Sequence, residues 1–313
     1  MKQKIKLNAT GLKTTTCMYN FWNVCIEGYK NQRSAANMVY GIGVHKFVDT
    51  MFKTQGNLGK ARDAALIAFR KPKALDNKSK HMNDENHFLP TCFNLWEDWV
   101  SKDDAQTVML PDGSPATEVT FSIPYYEDEF IIVTLEGTID RIIKIKGGCY
   151  AINDYKTTSS WEKDSYLEKY RMSNQLRFYV FALKLMAEKA PESMLGQIGA
   201  TNVGACIDGI FLKPKACDNE YKRSNVFQFA DLGEVRRGLD LKIQQISRTV
   251  ELTRMSGILP AKEGLVNGSC EGKWGLCTFW SICNSQSDEI AQVLLARDFV
   301  KKEYDPLHHN DDV

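Results

Sequence analysis

Residues 135–158 read LEGTIDRIIKIKGGCYAINDYKTT. Two apolar, β-branched runs meet at Gly147-Gly148. Asp140 lies inside the first run, Asp154 lies near the end of the second, and Lys156 follows two residues later. Strand alternation puts Asp154 and Lys156 on one side of the chain and Tyr155 on the other. The glycine pair predicts a tight turn, which makes the runs antiparallel neighbours and sets Asp140 beside Asp154. Two converging carboxylates repel, and a hard divalent cation such as Mg²⁺ relieves that repulsion. A lysine beside such a cation is placed to touch a phosphate oxygen or an attacking water. These parts suit phosphodiester hydrolysis. The plainer reading is a surface ion pair of Asp154 with Lys156 and an exposed Asp140.

The strand pattern extends outward. VTFSIPYY (119–126) and FIIVTLEGTIDRIIKIK (130–146) flank a turn at Glu127-Asp128-Glu129, and CYAINDYKT (149–157) completes a meander. Upstream, residues 11–56 repeat apolar positions at helical spacing, and a further helix is predicted at 59–70, closed by Lys71-Pro72. Residues 74–90 read as a polar loop and 91–102 as a short helix. Downstream, the pattern predicts a long amphipathic helix at 165–189, a strand in ACIDGIFLKPK (205–215) and an edge strand in VFQFAD (226–231). Helices at 231–256 and near 287–302 follow. Strands framed by helices predict a mixed α/β fold. We divide it into an N-terminal helical region over 1–110, a core over 111–257, a cysteine-containing segment and helix over 258–303, and a disordered tail at 304–313.

Composition narrows the classes. In 313 residues, 43% hydrophobic and 25% charged content are those of an ordinary globular protein. No apolar run reaches the roughly 18 residues of a membrane span, and MKQKIKLNATGLKTTTC has no apolar segment of a secretory signal. Nine cysteines, an odd number, predict reduced thiols in a cytoplasmic setting. A net charge of +1 leaves any nucleic-acid surface local. The stretch from Lys53 to His81, with Lys60, Arg62, Arg70, Lys71, Lys73, Lys78 and Lys80, is either a solvated face or a phosphate contact. Nothing matches G-x-x-x-x-G-K-[ST], so no ATP-driven unwinding is expected.

GTIDRI followed by AINDYKTT resembles the core of PD-(D/E)XK nucleases, in particular their RecB-like, Gln-x-x-x-Tyr branch. That branch carries a histidine in a Gly-x-x-x-His setting on an upstream helix and a Gln-x-x-x-Tyr helix after the lysine. Gly41 to His45 and Gln175 to Tyr179 supply both. The resemblance runs from about residue 10 to 284 and implies a restriction-endonuclease-like mixed β-sheet core flanked by helices. It implies that His45, Asp140, Asp154 and the Tyr155 carbonyl hold Mg²⁺ or Mn²⁺, with Lys156 as the catalytic lysine. Gln175 and Tyr179, on one helix face, would meet the DNA strand and steady the site. The implied activity is a metal-dependent deoxyribonuclease, an exonuclease similar to CRISPR-associated and phage enzymes. It would act on single-stranded or duplex DNA ends in recombination, repair or phage DNA processing, with a helicase or recombinase partner and no membrane. The alternatives are a catalytically silent DNA-end-binding or assembly subunit, and a structural metal protein.

Cys270, Cys277 and Cys283 follow the spacing C-x6-C-x5-C. Some nucleases of this type hold an iron–sulfur cluster with one cysteine before the core and three after it, the latter reading C-x2-C-x5-C. Here the second half is intact, but Trp274 stands where that pattern has a cysteine. Gly268, Gly272 and Gly275 would let the longer loop fold back. Cys17 matches the early position; Cys25, eight residues on, matches it less well. The resemblance implies a structural [4Fe–4S] cluster on Cys17, Cys270, Cys277 and Cys283, with zinc as the lesser option. Cys25, Cys92, Cys149, Cys206 and Cys217 read as core or incidental.

Overall fold

The structure, a computed structural model, describes residues 1–32, 36–70, 85–213, 218–230, 232–272 and 275–307. Its strands are β1 (Gln3–Leu7), β2 (Tyr29–Asn31), β3 (Gln106–Thr107), β4 (Thr117–Glu127), β5 (Ile131–Lys144), β6 (Tyr150–Thr158), β7 (Gly204–Phe211), β8 (Glu220–Arg223), β9 (Glu271–Gly272), β10 (Gly275–Leu276) and β11 (Phe299–Lys301). The longer helices of the first half are α3 (Ala36–Lys53), α4 (Leu58–Arg70) and α5 (Glu85–Lys102), after the short α1 (Ala9–Thr14) and α2 (Met18–Phe21). Then come α6 (Lys163–Glu168), α7 (Asn174–Lys189), α8 (Met194–Ala200) and α9 (Leu232–Ser256). The chain closes with α10 (Gly264–Asn267), α11 (Trp280–Cys283) and α12 (Asp288–Asp298). The fold is the expected mixed α/β one, with a central mixed sheet in the order β1-β5-β6-β7-β8 and with β3 and β4 also paired to β5.

Two compact units share the chain. One comprises Met1–Arg33, Phe121–Gly137 and Gly233–Asp312; the other comprises Ser34–Thr120 and Thr138–Leu232. In the first, β1 runs parallel to Ile131–Leu135, and Ile5, Leu7, Ile131, Val133 and Leu135 are all buried. Leu239, Ile243, Ile246 and Val250 recur at helical spacing on α9 and give it one buried face. Tyr125 and Ser247 hydroxyls donate to Asp240 and Asp128 at 2.6 and 2.5 Å and fasten that helix to β4 and the turn after it.

The second unit is built on β6. Arg141–Lys144 of β5 pair antiparallel with it, and β7 pairs parallel with it from Ala151 to Thr158. Every residue of β7 is buried, as a central parallel strand requires. Helices α3, α4 and α5 pack against Tyr155 through Phe47, Phe69, Phe88 and Trp99. Phe69 and Phe88 stack at 4.4 Å, and Trp99 meets Tyr155 edge-on at 5.1 Å. A buried charge network joins the sheet to α5. Arg141 reaches Asp103 at 2.6 Å, while Arg223 reaches Asp103 at 2.8 Å and Asp208 at 2.7 Å. Burial would raise Asp103, but the two guanidiniums prevail and hold it down at about 2.

Five local expectations change. The helical stretch expected over 11–56 is interrupted by β2, which pairs with β11 before α3 begins. Residues 85–90 belong to α5, with Pro90 inside the helix; complete burial of Phe88 against Phe69 outweighs the missing donor. The helix expected at 165–189 is broken: α6 passes into a short 3₁₀ turn at Lys169–Met172, and Ser173 turns extended and caps α7 through the Leu176 N–H. Residues 226–231 provide one isolated bridge, at Phe227, and the edge strand is β8 instead. The last helix stops at Asp298, where β11 begins and pairs with β2. In the basic stretch, Lys53 is committed to the buried Asp49, Arg62 to Asp63 and Arg70 to Glu85. Lys71, Lys73, Lys78 and Lys80 lie outside the described residues, as do Cys217 and the tail from 308.

Helix α8 lies so close to α7 that a Cβ at Gly199 would stand 1.9 Å from the Leu183 carbonyl oxygen. Gly199→Ala should therefore push α8 off α7 and lower stability by about 1–3 kcal/mol in denaturant titration. Gly238→Ala, in α9 with open space around it, should instead stabilise by roughly 0.5–1 kcal/mol.

Candidate active site

The site forms where β5 and β6 part. Their ladder runs from Lys144↔Tyr150 to Arg141↔Asn153, and one further step of that register sets Asp140 opposite Asp154. There the Asp140 side chain takes over: its Oδ2 accepts the Tyr155 N–H at 2.7 Å. Asp154 and Lys156 share one side of β6, as alternation demands, and Tyr155 points into the helical core opposite.

Helices on each face complete the group. His45, on α3, brings Nδ1 to 3.8 Å from Asp140 Oδ2, and its ring meets the Tyr155 ring edge-on at 5.6 Å. From α7, Gln175 accepts from Lys156 Nζ at 3.3 Å and donates to the Tyr179 hydroxyl at 3.2 Å. The Ser173 break places Gln175 in the first turn of α7. Thus His45, Asp140, Asp154, Tyr155, Lys156, Gln175 and Tyr179, expected from separate segments, stand together.

The electrostatics follow from burial. Asp154, 1% exposed, is pushed up to about 6 by burial, although Lys156 pulls the other way. Asp140 is raised for the same reason, against the pull of Lys156 and the Tyr155 N–H. Burial opposes the Lys156 charge, but Asp154 and then Asp140 outweigh it and hold the ammonium above its ordinary value. Burial, and then Lys156, lower His45 to about 4, so at neutral pH its ring is an uncharged donor of a lone pair. Burial and the nearby Asp154 keep Tyr179 a neutral phenol.

Lys156 Nζ stands 2.6 Å from Asp154 Oδ2, a charge-assisted contact that pulls the acid down against burial. Apart from that ammonium, neither buried Asp154 oxygen has a hydrogen-bond partner among the described residues. Such a carboxylate, beside a second carboxylate and a neutral imidazole, is a donor set that suits Mg²⁺ or Mn²⁺. Among the described residues no three such side chains yet converge closely enough to hold an ion. Lys156 and the Tyr155 N–H stand on the oxygens in question.

One acid was not singled out by sequence. Glu118 opens β4 in the left-handed region, at φ 49°, where a glutamate is strained. Burial, then Asp140, then Asp49 push it up to about 8. Asp49 itself, four residues after His45, is buried and bonded to the Thr117 hydroxyl at 2.7 Å. A glutamate entering a strand carries no periodic signal, and backbone strain is written in no residue pattern.

The cysteine sites lie in the first unit. Cys270 carries influence from Cys277 and Cys17, and Cys283 from Cys270, Cys277 and Cys17, so the four are electrostatic neighbours. Cys270 and Cys277 bracket the β9–β10 hairpin, with the Cys277 N–H on the Cys270 carbonyl at 2.7 Å. Burial raises Cys283 to about 11 despite Lys262. Cys25 stands apart, beside Thr14 and Tyr304, with burial raising it to about 12. The four thiols are not gathered at coordinating distance either.

No helix among the described residues is long and apolar enough to cross a membrane. No curated protein matches the chain. A solved structure described as "Crystal structure of SSO0001" aligns over 89% of this chain and 96% of its own, at 12% identity and a TM-score of 0.29, too loose a likeness to carry an argument. The model of the PD-(D/E)XK nuclease superfamily matches residues 7–284 and thus spans the strands and helices that bring the acid–acid–lysine group together; the chain belongs to that superfamily.

Proposed function

We propose that this protein is a divalent-metal-dependent deoxyribonuclease of the RecB-like, Gln-x-x-x-Tyr branch, an exonuclease acting on DNA ends in recombination, repair or phage DNA processing. The observation that carries the reading is that two buried carboxylates, Asp140 and Asp154, share the Lys156 ammonium and are both held above their ordinary range, with no other hydrogen-bond partner on Asp154 among the described residues. A structural ion pair would close its hydrogen bonds, as Asp103, Arg141, Arg223 and Asp208 do. His45, Asp140, Asp154 and the Tyr155 carbonyl would hold Mg²⁺ or Mn²⁺, which would supply Lewis acidity toward the phosphate and its attacking water.

The chain's own groups do the rest. Asp140 anchors the Tyr155 N–H and so fixes the Asp154–Tyr155 peptide plane. Lys156 keeps its charge at neutral pH and offers it to a phosphate oxygen as negative charge builds there. Gln175 accepts a hydrogen bond from the Lys156 ammonium and donates one to the Tyr179 hydroxyl, which steers the ammonium. Neutral His45 takes up no proton that would compete for its lone pair.

End-labelled single-stranded and duplex DNA should be cleaved with Mg²⁺ or Mn²⁺ and left intact in EDTA. Asp154→Ala or Asp140→Ala should abolish cleavage, and Lys156→Ala should slow it on the order of 10²-fold. Undiminished cleavage by the Asp154→Ala protein would remove the assignment.

The pH dependence of metal-free stability tests the same site. Asp154 titrates at about 6 when folded, against about 3.9 unfolded. The fold thus favours the protonated acid. That stabilisation is whole below about pH 4 and is lost as pH rises through 6, on the order of 2–3 kcal/mol. Asp154→Asn should escape the loss, gaining on wild type between pH 4 and 8 in EDTA. Parallel stability curves for the two proteins would contradict the burial argument.

Cys17, Cys270, Cys277 and Cys283 would hold a [4Fe–4S] cluster that ties the N-terminal segment to the C-terminal one. Anaerobically purified protein should be brown with broad absorption, and Cys277→Ser or Cys283→Ser should bleach it and lower the melting temperature. Cys149→Ser, at an exposed site, should do neither. Iron-free, zinc-free protein would overturn the cluster and leave the nuclease site standing.

A further inference from the structure

The strand that carries Lys156 ends at Thr158, and three residues later Trp161 leaves 76% of its surface in water. Trp99, by contrast, is 1% exposed. The indole is nonetheless held: Lys213 Nζ stands 3.8 Å from its ring centroid and 3.4 Å from the Ser160 carbonyl. Lys213 follows β7 as Trp161 follows β6. Thr158 pairs with Phe211, and the Leu212 N–H donates to the Thr158 carbonyl at 2.7 Å. Both side chains therefore leave the same end of the parallel strand pair, the end toward which Lys156 lies. Nearby Lys163 and Lys222 are committed to Glu220 and Asp164, whereas Lys213 meets a π face and a neutral carbonyl. Among the described residues no carboxylate pairs with it, which leaves its charge to an anion.

We propose that Trp161, held by Lys213, is a stacking platform for an unpaired base of the strand that runs past Lys156, and that the preferred substrate is single-stranded DNA. This rests on the nuclease reading. Five residues of extended chain span at most about 17 Å, so the ring lies within a few nucleotides of the phosphate at Lys156. A flat, exposed indole beside a cation matches a base and its phosphate. A protein partner would need a broad apolar patch, but Ser159, Ser160, Glu162 and Lys163 surround this ring in sequence. Bases inside a duplex are already stacked on both faces, so the platform discriminates in favour of unpaired DNA.

The test is fluorescence anisotropy in EDTA, where nothing is cleaved, with labelled oligo(dT) and a blunt, capped duplex. Trp161→Ala should weaken oligo(dT) binding on the order of ten-fold, and Trp161→Phe should restore most of it. Duplex affinity should not change. Lys213→Ala should flatten the salt dependence for oligo(dT) by roughly 0.7 log units, the share of one phosphate. Wild-type oligo(dT) affinity in Trp161→Ala, or an equal loss on both DNAs, overturns the platform and leaves the nuclease reading intact. Wild-type protein that binds neither DNA overturns both. Trp161 is exposed, so variant and wild type should share one melting temperature, which separates a lost contact from a lost fold.

Discussion

The Asp140 carboxylate accepting the Tyr155 N–H is the contact on which the site depends. Up to Arg141↔Asn153 the two strands exchange backbone bonds, and one residue later a side chain takes the place of the ladder. That substitution satisfies a buried donor while letting the strands part. It also draws an acid inward to a point where His45 and Lys156 converge on it. A hydrophobic residue at this position would leave the Tyr155 N–H unsatisfied as well as removing a carboxylate. Backbone order and site chemistry are therefore one interaction here.

Arg141, the next residue, shows the opposite outcome of burying charge. Its side chain lies across the strand from Asp140, among Asp103, Arg223 and Asp208, where each acid faces a guanidinium. The network is neutral and closed, and it pulls Asp103 down to about 2. Around Asp140 and Asp154 there is one ammonium for two carboxylates, and both acids are pushed up. The same physics of burial thus separates a structural ion network from a site short of positive charge. The shortage is the property a divalent cation would remove.

What could be read from the sequence followed what alternation and period encode. Asp154, Tyr155 and Lys156 sort to their faces because a strand has a period of two, and Gly147-Gly148 turns with both residues at positive φ, as a glycine pair allows. Helices α4 and α9 were visible in their apolar spacing. What escaped depends on tertiary contacts. Strand β1 is short, and it is held by parallel pairing to a partner more than a hundred residues away. Residues 85–90 read as the end of a polar loop, but they join α5, where Phe88 packs on Phe69. Glu118 acquires its setting from a backbone strain and from acids on two other elements. The resemblance suggested Cys17, Cys270, Cys277 and Cys283 as a group, and their neighbourhood depends on how the β9–β10 hairpin folds back.

The break at Ser173 ties these threads to the reaction. Had 165–189 run as one helix, Gln175 would sit mid-helix, its backbone N–H spent within the helix. As built, Ser173 caps a new helix whose first turn faces Lys156 through Gln175. The first N–H groups of a helix point outward and carry the positive end of its dipole. The close seat of α8 on α7, set by Gly196 and Gly199, holds the C-terminal half of this helix, from Leu183 to Ala190. A capping serine thereby sets where Gln175 meets a lysine on another element.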